Sequence, residues 1–173
     1  YRFLGPDPIE SQVATLLQRL VDGEAPRDIE VAAVDVKEEP GRRGVGGAIQ
    51  PGTPQNDAAA RYLAGEMACL ANTPRGGALI LGVADDGTRI GTELDADWLR
   101  HRIYELTKHR LTVDVREVDL DGTRLLVLTT QEAIEPVRHD GKIKWRVDDN
   151  CVEVDPTTWH AGSVVAFSGS ATD

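Results

Sequence analysis

The chain has 173 residues, 29 of them acidic and 19 basic, for a formal net charge of −10. A chain of this length buries a real core, most simply as one domain. The acidic balance argues against indiscriminate binding to nucleic acid, which depends on neutralising phosphates, yet it leaves room for a local basic groove or a metal-bridged phosphate.

No apolar run approaches the ~20 residues of a membrane span, and no secretory signal is visible. Membrane association is therefore not expected. The chain starts at Tyr1 without Met, which suggests a piece of something longer. Cys69 and Cys151 stand far apart with no ligand spacing. They read as buried free thiols, and so as a sign of a reducing, cytoplasmic setting.

Asp7-Pro8-Ile9-Glu10 makes a good helix start: an Asp N-cap, Pro at the first position, and Glu three residues after the cap. Ile9, Val13, Leu16, Leu17 and Leu20 form one apolar stripe, and Gly23 stops the helix near Asp22. Residues 1–28 thus read as an N-terminal helix and lead-in. Ile29 to Lys37 is strand-like, with Val34 and Val36 alternating against Asp35 and Lys37.

Residues 38–56, rich in Gly and Pro and poor in large apolar side chains, read as a mobile loop. Asn56 or Asp57 caps a second helix running to about Ala71, with Tyr62, Leu63, Met67 and Leu70 as its buried face. Strand 77–84 is apolar almost throughout and belongs inside a sheet. Asp95 caps a third helix to about His109, with Trp98, Leu99, Ile103 and Leu106 inward.

Strands 111–118 and 123–130 meet at Asp121-Gly122, a strong hairpin signal. A second hairpin-like pair, 142–148 and 151–154, lies beyond Asp140-Gly141, and Asp155-Pro156 opens a helical turn carrying Trp159. Residues 161–173 read as a flexible tail. Helices mixed with local hairpins favour an α+β domain, a mixed and mostly antiparallel sheet flanked by helices. Trp98, Trp145 and Trp159 each fall on an apolar face and read as core. Asn72 reads as a helix-terminal residue in the left-handed region.

Glu30, Asp35 and Asp85 are the carboxylates that could converge. In an ideal strand, residues five apart face opposite ways, so Glu30 and Asp35 share a site only if the chain bends near Ala32-Ala33. Three such carboxylates would supply the oxygen ligands a hard divalent cation prefers. That ion could orient water and polarise a phosphodiester, with Lys37 holding a phosphate oxygen. Spacing alone leaves the alternative open, since acidic residues at strand ends and in Asp-Gly turns are also common solvated turn formers. Asp86 reads as such a turn residue.

Lys142, Lys144 and Arg146 alternate with Ile143, Trp145 and Val147, lining one strand face with cations. Arg42 and Arg43 add charge on the loop, and Arg100, His101, Arg102, Lys108, His109 and Arg110 cluster around the third helix. These could track a phosphate backbone. A solvated strand face that discourages edge pairing explains the strand equally well. No Gly-x-x-x-x-Gly-Lys phosphate loop is present.

The motifs in order are Glu30, then Asp35-Val36-Lys37, then Ala71-Asn72-Thr73 with Gly76-Gly77. Gly82-Val83-Ala84-Asp85-Asp86-Gly87, Pro136 and Trp145-Arg146 follow. This pattern, over 29–160, resembles the Schlafen-type AlbA-like domain of vertebrate Schlafen proteins and many bacterial regulators. The resemblance implies the Schlafen AlbA-like fold and nucleic acid as partner, RNA of the tRNA kind or DNA. It further implies a metal-dependent endoribonuclease in which Glu30, Asp35 and Asp85 hold Mg2+ or Mn2+. Asp35 stands where the family carries Glu, which would draw the metal about 1.5 Å closer to the backbone. The family's Cys/His zinc site has no counterpart among Cys69, Cys151 and the four histidines, so zinc is not expected. A non-catalytic DNA- or RNA-binding regulatory module is the alternative, and an oligomerisation domain, a homodimer attached to further domains, is a third.

Overall fold

The computed structural model describes residues 7–29 and 31–162. Asp7 caps the first helix, α1 (Pro8–Val21), by accepting the Ile9 N–H at 2.9 Å. Val13, Leu16 and Leu20 turn inward, as their spacing requires. A short 3-10 turn (Pro26–Asp28) leads to a bend at 32–33 and then to β1 (Val34–Lys37).

The second helix, α2 (Asp57–Asn72), is capped by Asn56, whose side chain accepts the Ala59 N–H. It feeds β2 (Gly77–Leu81), buried at every position. Asp95 accepts the Trp98 N–H at 2.8 Å and starts α3 (Ala96–Leu106). The expected hairpin follows as β3 (Asp114–Leu120) and β4 (Thr123–Thr130), with Asp121 and Gly122 both at positive φ. Then come β5 (Arg138–His139), β6 (Lys142–Val147) and β7 (Asn150–Glu153), and a last helical turn over 156–162.

The strands form two sheets. The larger has order β1-β2-β4-β3, with β1 parallel to β2 and the other pairings antiparallel; the smaller is β5-β6-β7. The domain is α+β, mixed and mostly antiparallel. Alternation along β2 and β4 splits the large sheet's faces. Leu79, Leu81, Leu126 and Leu128 pack under α2 and α3, while Ala78, Ile80, Leu125 and Val127 pack against α1. A small third cluster of Ile143, Val154 and Trp159, with Trp145 against it, holds the small sheet to the last turn. All three tryptophans therefore pack on apolar clusters.

Two glycines earn their positions. Gly76, at φ +72°, has its vacant Cβ site against the Thr130 carbonyl oxygen, and at Gly77 a Cβ would stand 2.8 Å from the Ala33 oxygen. Only a residue without a side chain lets α2 hand the chain to β2 this closely.

Three expectations change. Cys69 and Cys151 are not free thiols: they form a disulfide joining α2 to β7, with Cα atoms 6.0 Å apart. Spacing could not reveal it, because the two meet only when the small sheet docks on the helix. The ground for a reducing compartment goes with it. Residues 38–56 fold back through an Arg43–Ile49 bridge, with Glu39 and Arg42 buried beneath. Tyr62 lies outside the core at 37% exposure, whereas Leu63, Met67 and Leu70 are buried. Asn72 is helical and not left-handed; Arg75 and Gly76 take the positive φ instead. The tail expected over 161–173 falls, from residue 163 onward, outside the described residues. Among the described residues no helix is long and apolar enough to cross a membrane.

Candidate nucleic-acid interface

Strand β1 sits at the edge of the large sheet. Val34 and Val36 point to α1, so Asp35 and Lys37 present to the other face, toward α2. The Asp35 carboxylate is 20% exposed and lies 3.6 Å from the Lys37 ammonium, and it also accepts the Val36 N–H at 3.0 Å. The chain turns at 32–33, with the Ala33 N–H held by Gln12 of α1 at 3.1 Å. Glu30 itself lies outside the described residues.

Beyond β2 the chain turns sharply at Gly82. Its N–H donates to the Lys37 carbonyl, and its own carbonyl accepts from Ile90 and Gly91. Asp85 is exposed on this loop, its carbonyl accepting the Arg27 N–H at 3.2 Å. Asp86 accepts from the Thr88 hydroxyl at 2.7 Å and the Thr88 N–H at 3.0 Å. Those bonds hold its carboxyl below the usual range, with the charges of Arg43 and Arg27 adding to the effect. It behaves as a turn-former.

Among the described residues, Asp35 and Asp85 share no hydrogen-bond or ion-pair partner. Among the described residues no group of three or more His, Cys, Asp or Glu side chains is arranged to hold a metal ion. The described side chains do not by themselves form a cage for Mg2+ or Mn2+.

The face toward α2 holds residues the sequence pointed to less clearly. Burial pushes the Tyr62 phenol well above its usual range, and the neighbouring Glu66 carboxylate and the Asp35 charge push it further. Glu66 in turn lies 3.5 Å from the Cys151 sulfur. Tyr62 and Glu66 share one slot with the disulfide, Lys142 and Lys144, between α2 and the small sheet. Tyr62 and Glu66 are i and i+4 on one helix, a signal legible in hindsight.

Strand β6 is fixed there by the end of α2. The Asn72 side chain donates to the carbonyls of Val137 and Lys144 and accepts the Val137 N–H. The Thr73 hydroxyl accepts the Arg146 N–H at 2.8 Å. The cationic row shares its face with Cys151, so it looks toward α2 rather than out to open solvent. Lys142 and Lys144 are exposed at the rim, Lys142 with Glu153 at 3.9 Å. Arg146 is half-buried, and its Nε and Nη1 have no hydrogen-bond partner among the described residues.

The loop arginines part company. Arg42 is 7% exposed and donates to the carbonyls of Gln50 and Gly91 beside the fully buried Glu39, so its charge is committed inside. Arg43 stays at the surface in an ion pair with Glu38. Around α3, Arg100, Arg102 and Arg110 are each paired with carboxylates, which takes up part of that cluster's charge.

The model of the Schlafen, AlbA_2 family matches residues 30–155, and the chain belongs to that family. This is a nucleic-acid-related family. The crystal structure of the DIP2311 protein from Corynebacterium diphtheriae is similar at 38% identity and a TM-score of 0.78, covering 91% of this chain and 34% of that one. The chain therefore spans about a third of the length of that relative. The N-terminal domain of a RecG-related protein from Nitrosomonas europaea aligns at 18% identity and a TM-score of 0.40, over 72% of this chain and 80% of that one. No curated protein matches the chain.

Proposed function

We propose that the domain binds nucleic acid as a regulatory module, with the small sheet as its phosphate-contacting surface. The observation that carries this reading is the pair Lys142 and Lys144, exposed on one face of β6 in a chain whose net charge is −10. Lys144 has no carboxylate partner among the described residues. Arg43 sits at the surface as an auxiliary contact. The test is fluorescence anisotropy of labelled tRNA and of duplex DNA between about 50 and about 200 mM salt. Affinity falls with salt, and the slope shrinks by about 0.7–0.9 in Lys144→Ala. Binding indifferent to salt would sink the reading.

A second reading is a metal-dependent endoribonuclease acting on structured RNA such as tRNA, with Glu30, Asp35 and Asp85 holding Mg2+ or Mn2+ and Lys37 a phosphate. The half-buried Asp35–Lys37 pair favours it, because it sets a carboxylate and a cation side by side. Total tRNA incubated with Mn2+ or with EDTA, using wild type and Asp85→Ala, decides. Cleavage needing metal and lost in the variant supports it; intact tRNA in every lane ends it. The greater length of the Corynebacterium diphtheriae protein supports the reading that this domain is one part of a longer protein. A homodimer pairing two such domains would show by light scattering.

A further inference from the structure

We infer that the slot between α2 and the small sheet is a pocket for one unpaired nucleotide, so that the domain favours single-stranded segments over uninterrupted duplex. The inference rests on the nucleic-acid-binding reading above and names what that surface selects. The slot has a volume of about 260 Å3. That is just below the roughly 300–1,000 Å3 of ordinary small-ligand pockets, a size for a single base rather than an extended ligand.

Ala68, Val137 and the Cys69–Cys151 bridge give the slot an apolar floor. The helix wall carries Tyr62, whose ring is part exposed, and Glu66; the sheet wall carries His139, Lys142 and Lys144. Each group matches a part of a nucleotide. An aromatic ring is a stacking platform for any base, since every base has a π face. The Glu66 carboxylate and the His139 imidazole offer hydrogen-bonding groups to a base edge, and the two ammonium groups stand at the mouth, where a sugar-phosphate chain would pass. A paired base hides its faces in the stack and its edge in the pair, so only an extruded or single-stranded nucleotide can enter. Gly65 lets His139 lie flat on the helix: a Cβ there would stand 2.9 Å from the His139 Nδ1.

The test uses a short single strand containing 2-aminopurine and the same sequence as a duplex, read by anisotropy and by quenching of the reporter base. Wild type binds the single strand more tightly and quenches it. Tyr62→Ala weakens single-strand binding roughly 5- to 150-fold, abolishes the quenching and leaves duplex affinity unchanged, while Tyr62→Phe keeps both. A bound wild-type complex whose reporter stays bright overturns the pocket without any variant. So does a Tyr62→Ala loss equal on both nucleic acids, and in either case the phosphate-binding reading survives. Wild type that binds neither form overturns both readings together.

Discussion

Asn72 and Lys144 lie 72 positions apart in the chain, and the Asn72 side-chain amide donates to the Lys144 carbonyl at 2.9 Å. The same side chain exchanges a further pair of bonds with Val137, at 2.8 Å each, inside a site only 1% exposed. One residue at the end of a helix thereby sets where the cationic strand stands. Trp159 adds its indole N–H to the Asn72 carbonyl, closing the joint from behind.

Replacing Asn72 with Ala leaves a buried N–H and two carbonyls unpaired, for a loss on the order of 2–4 kcal/mol, or roughly 5–15 °C in Tm. Asn72→Asp does no better, since its second oxygen would face two carbonyls. Thermal unfolding followed by circular dichroism measures both. A variant melting with wild type would mean that the small sheet is held by its apolar cluster alone.

Much of this frame was legible in local chemistry. Asp7, Asn56 and Asp95 cap the helices they were expected to start, and Asp121-Gly122 turns the hairpin. Each signal lies within a few residues of what it determines. What escaped depends on partners far along the chain. The Cys69–Cys151 bridge spans 82 residues, and the buried place of Arg42 depends on Gly91, 49 residues away. Tyr62 follows the same rule, because the apolar stripe of α2 has a border that only the neighbouring sheet defines. On the candidate site, the sequence pointed to Asp35, Lys37 and Lys144 but not to Glu66 or His139 between them.

Arg42 and Arg43 are adjacent and separate cleanly by experiment. Glu39 is fully buried and accepts from Thr92 at 2.6 Å and Asn56 at 2.9 Å beside Arg42. Arg42→Ala strands that carboxylate and lowers stability by about 3–5 kcal/mol. Arg43→Ala, at a surface pair, leaves stability close to wild type and weakens nucleic-acid binding slightly. Urea unfolding of the two variants makes the comparison. Equal losses would place Arg42 in water.

Breaking the disulfide acts through the unfolded chain. Closing 82 residues into a loop removes denatured-state freedom on the order of 4.5 kcal/mol in the chain-entropy account. Dithiothreitol, or Cys69→Ser with Cys151→Ser, lowers Tm accordingly and loosens one wall of the slot. A thiol titration under denaturant checks the premise: two reactive thiols without reductant would contradict the bridge.

Tyr62 gives a signature in alkali. Its folded phenol ionises above the usual value of about 10, so the folded chain binds more protons than the unfolded one once the pH passes that point. Stability from this group is whole below about pH 10 and declines as pH rises toward the folded value. In Tyr62→Phe that part of the decline is missing. Urea midpoints taken from about pH 9 to about pH 11 show the difference, and parallel curves for the two proteins would mean that the ring ionises freely.

The bonds that tie the small sheet and the segment leading into it to the rest of the domain converge on the end of α2, around Cys69, Asn72 and Thr73. The large sheet owes its own order to α1, α2 and α3 and closes without the smaller one. Asn72 and Thr73 thus act as a socket into which β6 is plugged at the end of one helix. A change at that socket would therefore move the cations of β6 and the wall of the slot together, as one body.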